Sequence, residues 1–168
     1  MPTIKINRKR LSKLISKDLS DGMLSKVLSD MGASLEGIND EEVNVEAFAN
    51  RPDLLSCVGI ARAIRYFLSI DKALRKYNVK KPDFEKSNYV VKVDKNVSKV
   101  RPFTVCAIAK GICFDDELIK EIIQIQEMLH VTFGRKRKKM AVGIYPLEKI
   151  SLPISYQGEK PKNIVFRP

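Results

Sequence analysis

Asp115-Asp116-Glu117-Leu118-Ile119, with Ile122, Ile125 and Leu129 following at helical spacing, runs into Phe133-Gly134-Arg135-Lys136-Arg137-Lys138-Lys139. The acidic residues at its start suit the positive end of a helix, and Phe114 is placed to staple onto Ile119. The spacing predicts that Leu118, Ile122, Ile125, Leu129 and Phe133 line one apolar face, with Phe133 its last core residue and Gly134 the stop. Upstream, Phe103–Ile112 is rich in β-branched and small apolar residues and predicts a strand. Downstream, Met140–Ile144 predicts a return strand that Tyr145-Pro146 breaks. Helices and strands in this mixed order give an α+β fold class. Past the helix end, Arg135, Lys136, Arg137, Lys138 and Lys139 lie where the helix dipole favours cations, and together they make a dense anion-binding surface. With a formal charge of +11 over the chain, a polyanionic partner such as RNA is expected.

Composition bounds the rest. At 168 residues, 44% hydrophobic and 30% charged, the chain is globular and long enough for one good core or two small ones. No run reaches the ~18 apolar residues of a membrane span, and Met1-Pro2-Thr3-Ile4-Lys5 lacks the apolar core of a secretion signal, so a cytoplasmic protein without membrane contact is expected. Cys57, Cys106 and Cys113 are odd in number and in apolar surroundings, and predict reduced thiols in or near a core. No paired metal-ligand spacing is present, and His130 is the single imidazole, so no metal site and no histidine-based triad is expected.

The first half reads as a small module. Thr3–Asn7 alternates like an edge strand, Arg8–Ile15 as a short basic helix, and Ser20 caps a helix to Met31 that Gly32 ends. Residues 33–38 and 42–48 predict two strands around an Asn39-Asp40 turn. A helix is predicted over Asp53–Ile70, capped by Asp53 after Pro52, with Leu54, Leu55, Val58, Ala61, Ile64 and Leu68 as its stripe. Arg51, Arg62 and Arg65 either form an outward cationic face or act structurally, solvated or paired with Asp40-Glu41-Glu42. From Asp71 to Ser87 the chain is polar and lysine-rich, and a boundary near Lys80-Lys81-Pro82 divides residues 1–80 from 81–168. Tyr89–Val93, pieces of Leu147–Tyr156, and Asn163–Phe166 are expected to be extended.

Two blocks carry a resemblance to a known family. Asn50-Arg51-Pro52-Asp53-Leu54-Leu55-Ser56, continuing through Gly59-Ile60-Ala61-Arg62-Ala63, resembles the N-terminal part of the β subunit of phenylalanyl-tRNA synthetase. The second block is longer. Arg101-Pro102-Phe103, Phe114 to Ile119, Gln126-Glu127-Met128-Leu129-His130, Arg135-Lys136-Arg137 and Ala141-Val142-Gly143-Ile144 are similar to the archaeal and eukaryotic cytosolic form, with Ile154-Ser155-Tyr156 and Lys160-Pro161 in matching order.

The resemblance implies a component of a heterotetramer of two α and two β subunits that attaches phenylalanine to its tRNA with ATP and magnesium. Residues 1–80 would be the N-terminal α+β module of the β subunit, and 81–168 the first part of a mixed α/β editing-type domain that hydrolyses mischarged tyrosyl-tRNA. An apolar pocket rejects an added hydroxyl only by roughly a hundredfold, which is why a second sieve is useful. Family β subunits are longer, so the chain is expected to be an N-terminal piece, a split-gene half or a truncated form. No catalytic residue and no cofactor is assigned to it. Its expected partners are tRNA, the α subunit and the remainder of the β subunit.

Arg135, Lys136, Arg137, Lys138 and Lys139 are the leading phosphate-contact candidates, with Arg8, Lys9 and Arg10 as a second cluster. His130 reads as a packed or helix-capping side chain rather than a general base. A free-standing RNA-binding, assembly or trans-editing module is the alternative reading.

Overall fold

A computed structural model describes residues 2–48, 50–81, 83 and 87–166. Met1, Pro82 of the predicted boundary, and the final Arg167-Pro168 lie outside the described residues. The elements run β1 (Thr3–Asn7), α1 (Arg8–Ile15), α2 (Asp21–Asp30), β2 (Ala33–Ile38), β3 (Glu42–Ala47), α3 (Cys57–Phe67), β4 (Val91–Val93), α4 (Asp116–Val131) and β5 (Ile154–Tyr156). The mixture is α+β, as the patterning predicts. The chain divides into two compact units, one of Met1–Lys76 with Cys113–Gly143, the other of Tyr77–Ile112 with Ile144–Pro168.

In the first unit β3 is the central strand of a three-stranded antiparallel sheet, ordered β1-β3-β2. Alternation decides which face is dry. Ile4 and Ile6 of β1 lie opposite Val45 and Val43 of β3, and all four are buried. Each such side chain contributes about 1.5–3 kcal/mol by leaving water. Asn39 closes the β2–β3 turn by accepting hydrogen bonds from the Glu41 and Glu42 amides at 2.9 and 2.7 Å. A register shift between Leu35 and Gly37 bulges β2.

The helices cover that face, and their ends follow local chemistry. Asn7 caps α1 through the Arg10 amide at 2.8 Å, and Ser20 caps α2 through the Met23 amide. After α2, Gly32 takes a φ of +78°, the left-handed conformation that ends many helices. Leu11 and Ile15 of α1, Leu24, Val27 and Leu28 of α2, and Ile60 and Ile64 of α3 join the strands in one core.

The third helix departs from the sequence reading. Pro52–Leu54 forms a separate 3-10 turn, and α3 begins only at Cys57, capped by Ser56, whose hydroxyl accepts from the Gly59 amide at 3.0 Å. Asp53 is not a cap because its carboxylate is engaged by the Arg51 guanidinium at 3.0 and 2.8 Å, a pair that holds it below the usual carboxylate range. Of the predicted stripe, Leu54, Leu55, Ala61 and Ile64 are buried, joined by Cys57 and Ile60, whereas Val58 is exposed. Gly59 makes this junction possible, since a Cβ there would lie 2.0 Å from the Asp53 carbonyl oxygen.

In the second unit, β4 and β5 form a two-stranded parallel sheet. A 3-10 turn over Lys95–Lys99 follows β4, and Asn96 exchanges two hydrogen bonds with the Gly158 backbone at 2.8 and 2.9 Å. Among the described residues of this unit, Val97 is its buried hydrophobic. The predicted strands at Phe103–Ile112 and Met140–Ile144 are absent. Propensity alone does not make a strand: a ladder needs a neighbour for its N–H and C=O groups, and none pairs with these segments among the described residues. Phe103 is 89% and Val105 96% exposed as a result.

The cysteines also divide differently from the reading. Cys57 is buried, but Cys106 and Cys113 are exposed. Burial, reinforced by the charge of Glu121, pushes the Cys57 thiol up to about 12. We therefore expect a disulfide-exchange reagent at neutral pH to modify two thiols rapidly and the third only on unfolding. Three fast thiols would mean that α3 is not docked. Gly59→Ala should destabilise by at least about 1–3 kcal/mol. Gly22→Ala, where a Cβ meets nothing within 4 Å, should be neutral or slightly stabilising. Urea unfolding of the two variants checks the contrast.

Candidate nucleic-acid interface

The cationic run is positioned by α4, whose start follows the expected code. Asp115 is the N-cap, accepting from the Leu118 amide at 2.7 Å, and Asp116 and Glu117 occupy the first turn. The docking face does not follow it. Leu118, Ile122, Ile125 and Leu129 are only half-buried, while the most buried side chains of α4 are polar, Glu121 at 8% and His130 at 2% exposure. Phe114 and Ile119 are both exposed.

Polar contacts explain the rotation of the helix. Arg10 donates from Nη2 to Glu121 Oε2 at 3.2 Å, and Gln124 donates from Nε2 to the Lys5 carbonyl at 3.0 Å. Met128 and Leu129 then pack against the core of the first unit. Burial opposes the charge on Arg10, but the hydrogen bond and charge of Glu121 outweigh it and raise its pKa. Arg10 Nε and Glu121 Oε1 are buried without a protein partner. Truncating either member would leave the other charge desolvated, the costly way to break such a pair.

At the C-terminus α4 unwinds into a tight loop. The Thr132 amide and hydroxyl both donate to the Met128 carbonyl, and the Gly134 amide donates to the Leu129 carbonyl at 2.7 Å. Arg135, Lys136 and Arg137 then adopt φ values of +49°, +55° and +65°, three successive left-handed residues with side chains. Each costs about 1–2 kcal/mol against right-handed backbone. Surrounding hydrogen bonds offset that strain: the Arg137 amide donates to the His130 carbonyl at 3.1 Å, and the Lys139 amide to the Gly134 carbonyl at 2.9 Å.

His130 anchors the loop from inside. The Val142 amide donates to its Nε2 at 2.7 Å, which places the ring proton on Nδ1, facing Glu127 Oε1 at 3.4 Å. Arg137 lies beside the ring with Nε 3.0 Å from Nδ1 and pairs with the same Glu127 carboxylate. An Nδ1 that carries the proton cannot also accept from Arg137, so the Glu127 ion pair is the contact that holds the guanidinium.

All five candidate cations are exposed, but they are not equivalent. Arg137 is tied to Glu127, and Lys139 sits over the Phe133 ring at 5.2 Å from its centroid. Phe133 is therefore an exposed platform rather than the last core residue. Arg135, Lys136 and Lys138 have no side-chain partner among the described residues. In the second cluster, Arg8 is bound to Asp21 and to the Asn39 carbonyl and Arg10 to Glu121, leaving Lys9. Arg51 and Arg65 pair with Asp53 and Asp71 rather than with Asp40-Glu41-Glu42. The placement of residues 71–75 was not legible from sequence, where they read as connector. Tyr66 fixes them, its hydroxyl donating to the Ala73 carbonyl and accepting from the Arg75 amide, each at 3.1 Å. No group of three or more His, Cys, Asp or Glu side chains gathers for a metal among the described residues, and none of their helices is long and apolar enough to cross a membrane.

Comparison with known proteins places the chain in a family. Residues 1–70 match the family described as the Phe-tRNA synthetase beta subunit B1 domain, a span that ends just past α3. The phenylalanine–tRNA ligase beta subunit of Archaeoglobus fulgidus is 40% identical over 158 residues, 94% of this chain and 28% of that subunit. That of Methanococcus aeolicus is 41% identical over 172 residues, covering all of this chain and 30% of the subunit. The crystal structure of an N-terminal fragment of the phenylalanyl-tRNA synthetase beta subunit from Pyrococcus horikoshii superposes with a TM-score of 0.81 at 34% identity, over 93% of this chain and 45% of that one.

The chain belongs to the phenylalanyl-tRNA synthetase β-subunit family. It corresponds to the N-terminal region of those subunits and spans less than a third of the length of these two relatives. Within this β-subunit region, Gly134 is the residue on which the cationic loop turns. A Cβ on it would lie 2.8 Å from both the His130 and Met140 carbonyl oxygens. Gly134→Ala should destabilise by about 1–3 kcal/mol and open the loop. Limited trypsin digestion should then cleave after residues 135–139 faster than in the parent chain, and equal rates would show that the loop does not depend on this close approach.

Proposed function

We propose that this chain provides a tRNA-contacting and assembly surface in the N-terminal part of a phenylalanine–tRNA ligase β subunit. The observation that carries the reading is the strained loop at the end of α4. It holds Arg135, Lys136 and Lys138 outward with no protein partner among the described residues, in a chain of net charge +11. Non-glycine backbone held left-handed by buried contacts is concentrated at functional positions, and here the strain fans cations toward solvent. Phosphate contacts of this type position RNA without reading its sequence.

In this reading residues 81–168 begin an editing-type domain. The half-covered stripe of α4 and the bare Phe103–Ile112 segment would be buried by further polypeptide of a β subunit. The α subunit is the expected partner within a heterotetramer of two α and two β subunits in the cytoplasm. Phenylalanine attachment, with ATP and magnesium supplying the chemistry of activation, falls to the whole ligase. The described residues offer no cluster suited to magnesium, so no step is assigned to them.

Replacing Arg135, Lys136 and Lys138 with alanine should weaken tRNA binding and flatten its salt dependence by roughly one unit of log–log slope per lost phosphate contact, with the fold intact. Unchanged affinity across a salt series would remove the loop from the interface. Single-turnover deacylation of tyrosyl-tRNA by this chain, with a phenylalanyl control, tests the remaining chemistry. No release is expected, and selective release of tyrosine would make the chain an editing enzyme in its own right.

A further inference from the structure

We infer that the first unit carries a second polyanion-binding surface, built where the C-terminal ends of α1 and α3 meet, and that it follows a tRNA backbone. Arg65 of α3 organises the place. Its Nη1 donates to the Ile15 carbonyl at 2.9 Å and to Ser16 Oγ at 3.0 Å, satisfying the end of α1, while Nε and Nη2 clamp the Asp71 carboxylate at 2.8 and 2.6 Å. The chain after α3 is thereby folded back, and the Tyr66 hydroxyl pins it again between Ala73 and Arg75.

Two consequences follow. Residues 13–18 and 65–76 bring together six cations, Lys13, Lys17, Arg65, Lys72, Arg75 and Lys76, against two carboxylates, Asp18 and Asp71. Arg65 also takes up both the negative end of α1 and Asp71, the groups that would otherwise attract the lysines. Its hydrogen bond holds Asp71 below the usual carboxylate range, with Arg75 adding to the effect. Lys13, Lys17, Lys72 and Lys76 are exposed and have no side-chain partner among the described residues, and Arg75 is exposed with Asp71 as its charged neighbour. Helix-dipole compensation accounts for Lys13, in the last turn of α1, but not for Lys17, Lys72, Arg75 and Lys76, which lie outside the helices.

Five exposed cations, on two segments tied together through Arg65 and Tyr66, match the closely spaced charge of a nucleic-acid backbone. It contrasts with the Arg8–Arg10 stretch, whose arginines are absorbed by internal pairs. The inference rests on the tRNA reading but concerns residues other than those of the α4 loop.

The test is filter binding of tRNA to the full chain over a salt series, with polyglutamate as a second polyanion. The variants are Lys72→Ala/Arg75→Ala/Lys76→Ala, Lys13→Gln/Lys17→Gln on the helix side, and the loop triple at Arg135, Lys136 and Lys138. Each set of patch substitutions should weaken tRNA binding about tenfold near 100 mM salt and lower the slope, with circular dichroism unchanged. Full binding by both patch variants while the loop triple loses affinity would overturn this inference and leave the tRNA reading standing. Loss in the patch variants alone would support the surface and remove the loop. Absence of tRNA binding by the parent chain would sink both. Binding of polyglutamate as tight as tRNA would assign the patch to an acidic protein surface and overturn the proposal.

Discussion

One face of the β1-β3-β2 sheet has to be kept from water, and the first unit is organised around that demand. Val43, Val45 and Ala47 alternate along β3 and are fully buried, and Ile4 and Ile6 meet them in register from β1. Three amphipathic helices supply the cover. Their ends are set by side chains that satisfy otherwise unpaired amides, Asn7, Ser20 and Ser56, so the placement of each helix follows from a cap as much as from its apolar stripe. Along α3, Cys57 is buried and Val58 exposed.

The fourth helix obeys a different rule. Its long apolar stripe would ordinarily choose its docking face, yet Glu121 and Gln124 turn it toward Arg10 and the Lys5 carbonyl, and the stripe is left partly uncovered. A desolvated charge that has found a partner constrains orientation more sharply than apolar area, since area is indifferent to angle and an ion pair is not. The same helix ends on a buried histidine that fixes the following loop through the Val142 amide. Charge presentation and helix docking are thus coupled: what aims the cationic loop is the polar seam beneath it.

The position of the basic residues within the fold also separates structural from available charge. Arg8, Arg10, Arg51, Arg65 and Arg137 all form ion pairs with carboxylates, whereas among the described residues the exposed cations outside such pairs are mostly lysines. The planar fork of arginine suits bidentate pairing at half-buried sites, and lysine remains hydrated at the surface.

Sequence alone determined what depends on neighbours along the chain. The strand at Thr3–Asn7, the helices at Arg8–Ile15 and Asp21–Asp30, the Asn39 turn, the acidic start of α4 and the exposed basic run were all legible, because alternation, capping and left-handed glycine are local properties. Two blocks of residues sufficed to place the chain in its family. Only tertiary structure decided the rest. Phe103–Ile112 has the composition of a strand but no partner among the described residues, and strand formation is a pairwise event. Cys113 and Phe133 have core-like composition but are exposed, and Glu121 looks solvent-facing but is buried, because burial depends on which surface arrives opposite. Which arginines are tied and which lysines stay unpaired depends on carboxylates and carbonyls many residues away, and no local pattern encodes that distance.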